Sequence, residues 1–217
     1  MRIVVVTAIT GEKDMLREDF CFDGADFYAY VDNTYSLNWD TKEPYKKFLD
    51  PVRNAKIHKV LIHRFIPTDT DVSIWIDGNI KFNVPAERLV KDLLGDGDMW
   101  CMTHFISKDV YQEGVFCHTL DNDPNAIFLQ LARYRSEGYP EFDGMYECNV
   151  IIRRNNERMR SFNEKWWAEI CTGGRRDQVA FPYALHESRK LFPIEMRTTE
   201  GNVRTHDWFH YKNHNYV

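Results

Sequence analysis

The five cysteines of this chain, Cys21, Cys101, Cys117, Cys148 and Cys171, include no C-x-x-C pair and are odd in number. A disulfide framework is therefore not expected, and a reducing compartment, the cytoplasm, is the expected location. Long apolar runs are also missing. The opening MRIVVVTAIT is too short to span a bilayer. It leads into Gly11-Glu12-Lys13-Asp14 rather than a small-residue cleavage site, so a signal peptide is not expected either. Positive charge is not in excess. The formal net charge of −5 leaves no global footprint for duplex nucleic acid. No G-x-G-x-x-G and no Walker sequence follows the first apolar run, which takes support from dinucleotide and P-loop folds. Repeats and low-complexity segments are absent.

What remains is an ordinary globular composition. The 217 residues, 43% of them hydrophobic, can bury one substantial core, so a single domain over 1–217 is expected. Aromatic residues make up 14%, with six Trp and eleven Tyr. Their first use is core packing; stacking on sugars or bases is the second.

The chain is organised around Asp71–Phe82, DVSIWIDGNIKF. Ser73, Ile74, Trp75 and Ile76 form a short β-branched and aromatic run, the pattern of a strand buried on both faces. It stops at Asp77-Gly78-Asn79, a turn signal in which glycine is expected to supply a positive φ. A carboxylate and a carboxamide are thus placed at the carboxyl end of a buried strand, where open α/β sheets bind ligands. Oxygen donors there suit a hard divalent cation, Mn or Mg, shared with a substrate phosphate. A turn whose Asp and Asn bond only their own backbone is the structural alternative.

Arg2–Thr7 reads as the opening strand, and Thr7 and Ala8 lead into a loop of the kind that touches nucleotides. Asp26–Val31 reads as a second strand. Asp32, just beyond it, is a candidate for base or ribose contact or for a turn. Asn38–Asp50 reads as a loop. Asp50-Pro51 then opens a helix that runs to about Phe65. Ile57, Val60, Leu61 and Phe65 are its apolar stripe. Arg53, Lys56 and His63 share another face, either solvated or held against diphosphate oxygens. Pro85–Leu94 and Pro124–Glu137 read as helices, and Asp98–His104 as a strand. His104 and Glu113 flank a loop of mixed character. Glu147–Arg154 reads as a strand and Asn155–Ile170 as a helix closed by Gly173-Gly174. Arg175, Arg176, Asp177 and Gln178 stand at the start of a further helix, where Asp177 also suits the helix dipole. From about 190 the tail is polar, with a loop expected at Gly201-Asn202. His206, His210 and His214 recur every four residues. Gly201-Asn202 argues against a helical zinc site of their own, and one histidine lent to a site built elsewhere is preferred. An unliganded tail is the alternative.

Five pieces occur together and in order: DPVRNAKIHK with His63 after it, SIWIDGNI, THFISKDVYQEG, ECNVIIRRNN and WWAEICTGGRRDQVAF. Over roughly Asp50–Tyr183 the chain resembles a glycosyltransferase-like family with plant mucilage- and cell-wall-associated members and bacterial and viral members. More distantly it is similar to metal-dependent, glycogenin-like retaining glycosyltransferases of the GT-A type.

The resemblance implies a GT-A-like three-layer α/β/α fold with a mixed, mostly parallel central sheet. It also implies transfer of a sugar from a nucleotide-diphosphate-sugar donor to a glycan, lipid, protein or modified nucleic-acid acceptor. Asp177, Gln178 and Arg176 become the catalytic set. Thr7, Ala8, Asp32, Arg53, Lys56, His63, Asp77 and Gly78 become donor contacts. Asp77, Asn79 and His206, with His210 as an alternative, become ligands of a divalent cation that would act as Lewis acid on the diphosphate. Retention of configuration is implied as well. Glu147, Glu113 and His104 are the candidate bases. Asn79 departs from the D-x-D pattern and adds no charge, which keeps a non-catalytic sugar- or nucleotide-binding scaffold open as an alternative. A nucleotidyltransferase is the other, but Thr7–Lys13, with one Gly and one Lys, lacks the Gly-rich basic loop it would need.

Overall fold

The computed structural model describes residues 1–11, 14–32, 34–119 and 123–213. The chain begins with strands β1 (Ile3–Ile9), β2 (Asp26–Val31) and β3 (Asp40–Lys42), then helix α1 (Pro51–Val60). Strands β4 (Val72–Ile76) and β5 (Ile80–Phe82) follow, then α2 (Ala86–Leu89), which widens into a π-type turn over Val90–Leu94. Strand β6 (Met99–Thr103) precedes α3 (Val110–Thr119) and α4 (Pro124–Ser136). Strand β7 (Tyr146–Arg154), α5 (Glu157–Thr172), α6 (Asp177–Arg189), β8 (Met196–Thr199) and β9 (Phe209–Tyr211) complete the order.

Seven strands form the central sheet in the order β3-β2-β1-β4-β7-β6-β8. The pairings β3–β2, β2–β1, β1–β4 and β6–β8 are parallel, while β7 runs antiparallel to both β4 and β6. The sheet is thus mixed and mostly parallel, as expected. The strand directions bring the carboxyl ends of β1, β4 and β6 and the amino end of β7 to one edge.

Both faces of the sheet are covered, which is why β1 and β4 are apolar along their length. On one face α1, α5 and α6 pack Val60, Phe162, Trp166 and Phe181 against Val4, Val6 and Trp75. On the other, Trp39, Phe82, Leu89, Val90 and Phe209 close over Val5, Ile74 and Ile152. The architecture is the expected three layers, with a β5–β9 ribbon and the short α2 in the second outer layer.

Local chemistry explains the boundaries. Asp50 caps α1 through its carboxylate, which accepts from Val52 N at 2.9 Å, and Pro51 occupies the first turn. The helix was expected to reach Phe65, but it ends at Val60 and tightens into a 3₁₀ turn over Ile62–Arg64. The loop expected between His104 and Glu113 ends sooner, since α3 begins at Val110 and takes in Glu113. The tail after residue 190 adds β8 to the sheet edge and β9 to β5. His214 lies outside the described residues.

Candidate active site

The edge where β1, β4, β6 and β7 converge opens into a cavity of about 1010 Å3. Asp77, Gly78 and Asn79 form one wall, Lys56 and Lys59 of α1 a second, and Arg176, Asp177 and Gln178 of α6 a third. His104, Glu147 and Asn149 reach it from β6 and β7.

Asp177 is the electrostatic centre. Its Oδ1 lies 2.8 Å from Lys56 Nζ and its Oδ2 lies 2.7 Å from Lys59 Nζ. Lys56 Nζ also donates to the carbonyl of Arg175 at 2.5 Å. Oδ2 receives no aligned hydrogen bond, so its contact with Lys59 is an ion pair. Burial works against the charge of Asp177. The two lysines and Arg176 outweigh it and hold the carboxyl well below the ordinary carboxylate range. Lys59 is likewise buried, yet Asp177 and Asp77 keep its ammonium above the usual lysine value. Burial pulls Lys56 down against the attraction of Asp177.

Lys59 also reaches Asp77 Oδ1, at 3.3 Å, and the same oxygen accepts from the indole Nε1 of Trp75 at 2.7 Å. The two carboxylates at the ends of β4 and α6 are therefore joined by one ammonium. Behind Arg176 stands Glu113, fully buried, whose Oε1 accepts from Arg176 Nη2 at 3.0 Å. Its Oε2 accepts from Ser107 Oγ at 2.8 Å. His104 Nδ1 accepts from Ser107 N at 2.9 Å, which puts the proton of the neutral ring on Nε2, and burial lowers its pKa. Burial raises the pKa of Glu147, whose Oε2 accepts from Asn149 Nδ2 at 2.7 Å.

Gly78 is required for a reason other than the one expected. It is not among the glycines with positive φ. A Cβ there would stand 2.7 Å from Cγ1 of Ile9, so close packing against the end of β1 demands glycine.

Residues 41–206 match the family described as "TOD1/MUCI70, glycosyltransferase-like domain". The chain belongs to this family. Among curated relatives it is similar to the "Probable hexosyltransferase MUCI70" of Arabidopsis thaliana, 27% identical over 145 residues, 62% of this chain and 25% of that protein. It is also similar to "Alkaline ceramidase TOD1" of the same organism, 26% identical over 148 residues, 63% of this chain and 32% of that protein. The matches thus span a quarter to a third of those relatives' length. Among solved structures, the galactosyltransferase LgtC in complex with donor and acceptor sugar analogs aligns with TM-score 0.49 and 11% identity, over 94% of this chain and 74% of that one. A glycosyltransferase involved in glycosylation of the major capsid of PBCV-1 aligns with TM-score 0.49 and 12% identity, over 97% and 93%.

Of the residues singled out in the sequence, Ala8, Lys56, Asp77, Gly78, Asn79, Arg176, Asp177 and Gln178 line the cavity together. Thr7 lies just behind the wall, buried, its Oγ1 3.9 Å from where a Gly78 Cβ would be. Four others do not reach the wall. Asp32 pairs with Lys46 at 2.8 Å. Arg53 Nη2 donates to the carbonyl of Gly173 at 3.3 Å. His63 Nε2 lies 2.9 Å from Glu164 Oε1 on α5, because α1 ends before it and turns the ring away. His206 Nδ1 accepts from Trp208 N at 3.1 Å, and its ring packs on Phe209.

Of the expected cation ligands, Asp77 and Asn79 line the cavity and His206 does not. Asn79 Nδ2 donates to the Lys212 carbonyl at 3.1 Å, His206 is turned into the tail, and Lys59 stands on Asp77. Among the described residues no group of three or more His, Cys, Asp or Glu could hold a metal ion. No helix there is long and apolar enough to cross a membrane.

The sequence reading missed Lys59. A lysine beside the stripe residues Ile57 and Val60 reads as solvated, but it continues the three-residue step Arg53–Lys56–Lys59 along α1.

Proposed function

We propose that this domain transfers a glycosyl group from a nucleoside-diphosphate-sugar donor to an acceptor hydroxyl. The observation that carries this reading is the clamp of Lys56 and Lys59 on Asp177 beside the Asp77-Gly78 turn, inside the cavity at the strand ends. Membership of a glycosyltransferase-like family supports it. Five cationic side chains, Lys56, Lys59, Arg175, Arg176 and Arg204, line the cavity beside four carboxylates, Asp14, Asp77, Glu147 and Asp177, a slight local excess of positive charge in a protein whose net charge is −5. This is local charge suited to a small anionic group.

In this reading the diphosphate lies against the lysines and Arg176. The bond from the anomeric carbon to the β-phosphate oxygen breaks, and its electron pair stays on the diphosphate. Fixed cations that need no reorganisation stabilise that charge. The acceptor oxygen forms the new bond to the anomeric carbon, and its proton passes to Glu147. Among the candidate bases Glu147 is preferred. It lines the cavity and burial raises its proton affinity, whereas Glu113 is wholly enclosed and bound to Arg176. Phe105 and Phe116, 47% and 40% exposed, stand on the cavity wall and suit stacking on an acceptor sugar. Retention at the anomeric centre, which belongs to the same reading, requires the acceptor oxygen to reach that carbon on the face the diphosphate leaves, and it is read from product stereochemistry by NMR.

The test is a thermal-shift screen of nucleoside-diphosphate sugars on the wild type and Asp77→Ala. A ligand that binds the native state raises its apparent stability. A shift with one donor, lost in the variant, is expected. No shift with any donor at high concentration would sink the transferase reading and leave a scaffold.

A further inference from the structure

Asp77 is the one carboxylate of the expected cation set, and it stands beside that of Asp177. Both are already bridged by one buried ammonium: Lys59 Nζ lies 2.7 Å from Asp177 and 3.3 Å from Asp77. The helical turn that carries Lys59 is held in place. Arg153, itself buried in β7, donates to the Lys59 carbonyl at 2.5 Å and to the Val60 carbonyl at 3.4 Å, which fixes the last turn of α1. Lys56 neutralises the other oxygen of Asp177 from one turn earlier, and Arg176 stands on the third wall, anchored by Glu113. A cation entering beside these groups would meet like charge at close range. Of the other expected ligands, His206 does not line the cavity, and Asn79 is held through its Nδ2 by the Lys212 carbonyl.

We infer that Lys59, flanked by Lys56 and Arg176, provides the fixed positive charge for the donor's diphosphate at the place where a divalent cation was expected, so that diphosphate binding needs no metal. This rests on the donor reading above. An ammonium donates up to three directed hydrogen bonds and carries its charge at neutral pH. Pinned between two carboxylates it is preorganised, and an arriving phosphate oxygen completes its contacts.

The experiment is isothermal titration of the wild type with UDP, GDP, ADP, CDP and dTDP, once in EDTA and once in manganese chloride. Manganese EPR of the protein without nucleotide is recorded alongside. The expected result is binding of one nucleotide in EDTA, with an affinity that manganese changes by less than about threefold, and no manganese bound in its absence. Lys59→Ala should weaken that binding in EDTA by on the order of tenfold to a hundredfold, the loss of one charge-assisted contact. Lys59→Arg should keep most of it. Binding that appears only with manganese, or manganese held by the free protein, would overturn the inference and leave the donor reading standing. Failure of every nucleotide in both media would remove the donor reading and the inference with it. The wild-type comparison decides the matter even if Lys59→Ala does not fold.

Discussion

Arg153 donates through Nη2 to the backbone carbonyl of Lys59, 94 residues earlier in the chain, at 2.5 Å. Its Nη1 donates to Asn163 Oδ1 at 2.7 Å. A buried cation near the end of a strand thus serves as the C-terminal cap of a helix whose last turn carries a site lysine. Arg153→Met should leave these acceptors without a donor and cost on the order of 2–5 kcal/mol. Urea denaturation measures it. The same variant should weaken nucleotide binding although Arg153 does not line the cavity.

Asp177 gives a pH signature. Its folded pKa lies below that of the unfolded chain, so its contribution to stability is present above about pH 4 and is lost as the pH falls further. Asp177→Asn leaves two ammoniums facing an uncharged amide and should cost about 3–5 kcal/mol at neutral pH. The gap to the wild type should stay level to about pH 5 and narrow below about pH 4. A gap unchanged at pH 3 in denaturant melts would show that Asp177 is not held as an ion.

Gly78→Ala sets a Cβ against Ile9, 2.7 Å from Cγ1 and 2.8 Å from Cδ1. Overpacking of this kind costs typically about 1–3 kcal/mol. Because the obstacle is a side chain and not backbone strain, Ile9→Ala in the same chain should recover part of that loss. A double-mutant cycle in thermal melts with no coupling between the two sites would contradict the packing account.

His63→Ala tests where the site stops. The ring faces Glu164 and Asn163 on α5, with Nδ1 3.2 Å from the Asn163 side-chain nitrogen. Nucleotide affinity by calorimetry should be unchanged, with a stability loss of about 1 kcal/mol. A loss of affinity comparable to that of Lys56→Ala would put His63 back among the donor contacts.

The apolar strands were legible because burial on both faces leaves a run such as Ile3–Val6 no other use. Strands β3, β8 and β9 were not. DTK, MRTT and FHY are short and carry little alternation, and their pairing is decided by what they meet. Helix α3 was not read from the sequence; within it Gly114 lies where a Cβ would come within 2.2 Å of Leu131, so the glycine marks helix contact. At the site, the turn Asp77–Asn79 and the start of α6 stood out as polar residues at the ends of apolar runs. Lys59 did not, because its partners Asp77 and Asp177 arrive from other elements and a lysine in a helix is ordinarily solvated.

The ribbon of β5 and β9 fixes an order of assembly. Asn79, in the turn that forms one wall of the cavity, bonds through its amide to the carbonyl of Lys212, 133 residues later. At about 5–20 residues per second, a ribosome supplies that partner only after about 7–27 s. A nascent chain can pair β1, β2 and β4 well before then, yet its turn waits with an edge uncovered. Whatever holds newly made chains in solution has that interval to act, and β9 is the strand that closes it.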